Sequence, residues 1–172
     1  SASFLRNNIG IENPTSSYNP IHDITEQNRG FGYASYVLNP KNRVSFIFGS
    51  YDGYFQIPNT AGLSTDPDGL GFLTGAGITG FNSAALKDQQ RETNRYGIAA
   101  WQSSIGPDID TQLAFFSRSA KVNFQPDVIG GLAFNGIASD ITRSTFTNGF
   151  QGDTSYRANS SHTLRMGFYA SN

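Results

Sequence analysis

Two short patterns in the chain carry the residue types of known chemistry. Gly75-Ala76-Gly77-Ile78-Thr79-Gly80 fits G-x-G-x-x-G, whose glycines let a backbone approach a pyrophosphate. That chemistry needs a strand before the pattern, a helix opening at it, and an acidic residue about twenty positions on. None of these accompanies it, so the pattern reads as a flexible glycine loop. Asp66-Pro67-Asp68-Gly69 places carboxylates two apart beside a glycine, as calcium loops do. The later ligands and the closing glutamate are missing, which leaves a turn.

His22 and His162 are the only histidines, and neither stands at a metal-ligand spacing. Cysteine is absent, which excludes disulfides and thiolate metal sites. Serines are frequent, yet no G-x-S-x-G elbow exists and no serine stands beside a histidine in a catalytic arrangement. No catalytic, cofactor-binding or metal-binding residue follows from the sequence, and the chain is expected not to be an enzyme. His22 with Asp23, in a polar loop, is the one pair open to ligand contact on this reading.

Residues 30–51 are the clearest stretch of regular structure. Val44, Phe46 and Phe48 alternate with Arg43, Ser45 and Ile47, and a period of two marks a strand. Before them Ala34, Tyr36 and Leu38 alternate with Phe31, Tyr33 and Ser35. The polar run Asn39-Pro40-Lys41-Asn42 joins the two as an antiparallel hairpin. The same form recurs. Strands are expected at residues 3–11, 93–103, 110–123, 140–156 and 162–171. Between them lie a loop at 13–28, a long Gly/Pro/Asn-rich segment at 56–89, and a medium loop at 124–138. Short turns are expected at 104–108 and 157–161, and a helical turn capped by Asn82 or Ser83 within 84–92.

The connections alternate between long and short. Transmembrane β-barrels do this, with short periplasmic turns, longer extracellular loops and strands apolar on one face only. A mean hydropathy of -0.37 is compatible with such strands, and 14 Phe with 8 Tyr supply aromatic weight. A net charge of -1 argues against nucleic acid, which needs a clustered basic excess. Trp101 and Tyr36, with Tyr156 and Phe168, fall near the expected short turns, where a membrane barrel carries an aromatic girdle. Arg118, Arg143, Asp153 and Arg165 fall on the opposite, polar parity, facing a lumen where they would pair with one another or with a plug.

Three stretches, LNPKNRVSFIFGSYDGYFQIPN, FNSAALKDQQRETNRYGIAAWQSS and YRANSSHTLRMGFYAS, resemble the barrel region of TonB-dependent outer-membrane receptors. The resemblance spans nearly the whole chain. It implies that residues 1–172 are part of such a barrel, an all-β antiparallel sheet of about seven strands from a 22-stranded whole. It further implies a bacterial outer-membrane location and import of a scarce nutrient such as a ferric siderophore or cobalamin. The partners implied are the lipid bilayer, a plug domain, the TonB energy-transducing system behind it, and a small ligand met at the extracellular loops. No cofactor is implied. A plug, a TonB box and a terminal aromatic strand are not found in the chain, so it is expected to be a piece of a larger barrel. Two alternatives stand beside this. One is a small eight-stranded anchor or adhesin barrel, with its further strand within residues 63–81. The other is a secreted carbohydrate-binding β-sandwich.

Overall fold

The computed structural model describes residues 1–8, 21–59, 62–65, 71–75, 77–78 and 80–172. They form β1 (Ala2–Asn8), β2 (Ile24–Asn39), β3 (Asn42–Gln56), β4 (Gln89–Ile105), β5 (Ile109–Gln125), β6 (Ile141–Arg157) and β7 (Thr163–Ser171). All seven lie in one sheet in chain order, and every neighbouring pair is antiparallel. Tight turns can join antiparallel neighbours directly, so a meander follows from the hairpin pattern.

Asparagine shapes two of the short turns. The Asn39 side-chain oxygen accepts from the Lys41 amide at 3.0 Å and from Asn42 Nδ2 at 3.0 Å. Asn159 does the same for the Ser161 and His162 amides, each at 2.9 Å. Such side-chain mimicry of a backbone turn is the reason asparagine recurs there.

The strands outrun their expected bounds at the long-loop end. β2 begins at Ile24, inside the stretch expected to be loop, and β4 begins at Gln89. Pairing supplies what periodicity lacked: Thr25 opposes Phe55 and Gln89 opposes both Gln56 and Gln125. Ile9 and Ile11, the far end of the expected first strand, lie outside the described residues.

The medium loop contains a helix, α2 (Val128–Asn135), which is a correction to the loop expected at 124–138. Asp127 caps it by accepting from the Gly130 amide at 2.8 Å, and Gly136 ends it at a φ of 70°. That left-handed exit suits a residue without a Cβ. A side chain at Gly130 would run into Leu86, so the glycines that read as loop residues instead let α2 dock. Removing the cap by Asp127→Ala should destabilise this module by about 1 kcal/mol. Faster amide exchange in residues 128–136, with strand amides unchanged, would check that.

The expected helical turn is shorter than its bounds. A single 3-10 turn at Ser83–Ala85 is capped by Asn82, whose side chain accepts from the Ala84 amide at 2.8 Å.

Buried apolar side chains are few among the described residues: Leu73, Leu86 and Ala114. Two of them belong to the loop module, where Phe81 also meets Phe134 edge-on at 6.2 Å. The strands thus form one layer with no second sheet among the described residues. A sandwich would need a second sheet beyond those residues. Between residues 63 and 81 the described residues hold α1 (Gly71–Thr74) and one isolated bridge, Ser64 to Asn82, rather than an eighth strand. β1 pairs only with β2 and β7 only with β6 among the described residues.

Candidate functional site

Register sorts every strand residue onto one of two faces, because directly opposed residues share a face. One row runs Tyr36, Val44, Trp101, Leu113, Gly152, Phe168. The next runs Ala34, Phe46, Ala99, Phe115, Phe150, Ala170. Towards the short turns the same face carries Met166, then Ile105, Ile109, Tyr156 and Leu164. No charged residue interrupts this face from the row of Phe48 and Asn148 to that of Tyr156 and Leu164. Its polar members are small, and Thr111 and Thr154 satisfy each other at 2.8 Å between hydroxyls. Trp101 donates its indole N–H to Asn42 Oδ1 at 3.1 Å. These aromatics and aliphatics stand open, with Phe46 51%, Phe168 56% and Met166 61% exposed.

The height of the band can be read along β6. Phe146 and Tyr156 mark its ends on this face, ten residues apart. At ~3.4 Å per residue that is about 34 Å along the strand. A barrel tilt of ~40° brings it to about 26 Å, close to the ~25 Å apolar girdle of membrane barrels.

From the row of Phe146 outward the character of this face changes, and that row itself holds Arg95. Arg95 grips both oxygens of Asp52 at 2.7 Å, joining β3 to β4. Arg6 meets Glu26 at 3.1 Å between β1 and β2. Arg91 lies over the Tyr54 ring, its guanidinium carbon 5.4 Å from the centroid. Lys121, exposed, stands opposite Thr93. Parity carried the signal for this rim, but the loop bounds expected from the sequence cut across it.

The other face, marked by Ser45, holds Arg118, Arg143, Asp153 and Arg165 together, as parity predicts. Their expected mutual pairing does not occur. Arg118 opposes Thr147 and Arg143 opposes Val122, rows away from the others, while Asp153 and Arg165 are diagonal neighbours that form no ion pair among the described residues. Nor is the face wholly polar. Phe116 stacks on Tyr169 with centroids 5.5 Å apart and planes at 15°, and Arg29 lies 5.3 Å above Tyr51. A cavity of about 560 Å³ on this side touches both Val37 of β2 and Arg165 of β7. Strands are ~4.8 Å apart, so a flat sheet would separate those two by about 24 Å. The sheet therefore curls towards the Ser45 face.

Aromatic rings lie over glycines on directly opposed strands: Phe48 over Gly32, Tyr96 over Gly49, Phe116 over Gly149 and Phe168 over Gly152. Each ring fills the place of a missing side chain, a packing mode that sequence alternation alone does not disclose.

Gly77 takes a φ of 82°, and its amide bonds to the Thr74 carbonyl at 3.0 Å. The glycine pattern thus closes the end of α1 and opens no phosphate-binding helix. Asp66 to Gly69 lie outside the described residues. His22 is 5% exposed, with Asn59 Nδ2 3.4 Å from its Nδ1, and Asp23 is fully buried. That pair belongs to the base of the loop module, not to an open ligand surface. His162 bonds to Asn159 within a short turn at 3.0 Å. No group of three or more His, Cys, Asp or Glu residues with metal-binding geometry occurs among the described residues. In comparisons with known proteins, no family model, no curated protein and no solved structure matches the chain.

Proposed function

We propose that residues 1–172 form a sector of a bacterial outer-membrane β-barrel, and that the whole protein is a TonB-dependent receptor importing a scarce small nutrient. The observation that carries the first part is the uncharged apolar band on one face of a single-layered, curled sheet. An exposed apolar area of this extent needs an apolar neighbour. Lipid is the neighbour that matches the band's height, and the two-residue alternation matches lipid-facing strands. The second part rests on the sequence resemblance together with the asymmetry of short turns at one end and a built loop module at the other.

On this reading the Ser45 face lines the lumen, and a plug domain would cover its cavities. The unpaired edges of β1 and β7 would join further strands, since lipid cannot satisfy open backbone groups. The loop module, with α2 and the described residues between 57 and 88, stands at the extracellular mouth. It is positioned to meet ligand first, and TonB would act through the plug from the opposite side. No cofactor or catalytic step is involved.

The test is uptake by cells making the whole protein. Labelled nutrient should accumulate only when the proton-motive force and TonB are intact. Deleting residues 71–80 should abolish capture while leaving the protein in the outer-membrane fraction. An anchor or adhesin barrel would reach the same fraction with no energised uptake, and recovery of the protein only in soluble fractions would end both readings.

A further inference from the structure

The rim above the apolar band differs from the opposite end in charge. On the Phe46 face, in the row of Phe146 and beyond it, stand Arg6, Arg91, Arg95 and Lys121 against only Glu26 and Asp52 among the described strand residues. Arg6 and Arg95 are engaged by those two acids. Arg91 and Lys121 have no opposed acid on that face. Lys121 opposes Thr93, which lies two residues from Arg91, so the two cations are diagonal neighbours, about 7–8 Å apart at the backbone. Both are exposed. At the short-turn end the same face presents Trp101, Tyr36 and Tyr156, and its strand positions hold no charge.

We infer that Arg91 and Lys121 form a binding site for the phosphorylated headgroups of lipids in the leaflet at the long-loop end. The inference rests on the membrane reading above. An exposed cation pair one and two rows beyond that of Phe146 lies at the depth of headgroup phosphates. Guanidinium and ammonium groups are the side chains that bind them. Phe146, 65% exposed, continues the apolar surface below the pair and would lie along an acyl chain. Asp52 holds Arg95 in a bidentate grip, which leaves Arg91 and Lys121 as the headgroup contacts. The uncharged aromatic end would suit a leaflet with less phosphate. The site thus orients the sector as well as binding lipid.

The test uses the whole protein in vesicles of phosphatidylcholine with and without lipid A, with inorganic phosphate as a competitor. Wild type should bind lipid A selectively, and Arg91→Gln with Lys121→Gln should weaken it about 30-fold, as expected for two lost basic contacts. Lys121→Arg should retain binding. Insertion into phosphatidylcholine alone should be unchanged in every variant. Insertion without any preference for lipid A, or with equal loss in a control Arg43→Gln variant, would overturn the lipid site while leaving the membrane reading intact. Displacement by millimolar phosphate alone would also overturn it, since the site would then take free phosphate. Failure of wild type to insert at all would overturn both.

Discussion

Phe46→Arg should destabilise the folded, membrane-inserted protein by about 2–4 kcal/mol, whereas Ser45→Arg should cost far less. The two residues are adjacent in β3 and face opposite ways. Phe46 lies in the row Ala34, Phe46, Ala99, Phe115, Phe150, without a charged neighbour in the rows on either side. A guanidinium there would have lipid on one side and nothing to pair with across the strands. Ser45 opposes Ser35 and Ala100 on the concave side, where small residues leave room. Its hydroxyl already bonds to that of Ser35 at 3.4 Å, so a longer polar side chain meets a polar surface. Equal destabilisation of the two variants, measured by reversible unfolding from lipid vesicles, would refute the assignment of faces.

Gly149→Val should cost about 1–3 kcal/mol, the usual penalty of forcing volume into a filled site. Gly149 is buried at the junction of β5, β6 and β7. A Cβ placed there would meet the Phe116 ring and come within 2.5 Å of the Ala170 carbonyl oxygen. The ring can turn away, but the carbonyl belongs to the β6–β7 ladder and can move only by loosening that pairing. Adding Phe116→Ala should therefore restore only part of the loss. Full restoration would locate the whole penalty in the ring and leave the ladder without a role. Comparison of denaturant midpoints for the single and double variants decides between them.

The sheet was legible in the sequence because its strongest signal is alternation, and alternation survives when both faces are exposed. Val44, Phe46 and Phe48 identified a face without any knowledge of partners, and register then extended that face across the sheet. Strand ends were harder. Gln89, Gln90, Thr25 and Glu26 carry no apolar period, and they are strand residues because a paired neighbour takes up their backbone groups. The helix α2 was hidden for a related reason. Gly130 and Gly131 weaken helix formation, and what favours the helix is the Asp127 cap and docking on Leu86. Among the candidate residues, the common parity of Arg118, Arg143, Asp153 and Arg165 could be read directly. Their row positions could not, because row position depends on register and register on turn geometry. The burial of His22 and Asp23 was equally out of reach, since it depends on Asn59 arriving from a distant part of the chain.

The most direct test of the account is the accessibility of nitroxide labels along β6 in the whole protein reconstituted into vesicles. The 172 residues contain no cysteine, so each introduced thiol is unique within them. Labels would be placed singly at Phe146→Cys, Phe150→Cys, Gln151→Cys and Asp153→Cys. Collision with oxygen, which concentrates in lipid, would be compared with collision with a water-soluble nickel chelate. The account predicts high oxygen and low nickel accessibility at 150, falling towards the interface at 146, with the opposite balance or shielding from both at 151 and 153. Ready nickel access at 150, equal to that at 151, would place the Phe46 face in water and contradict the membrane reading.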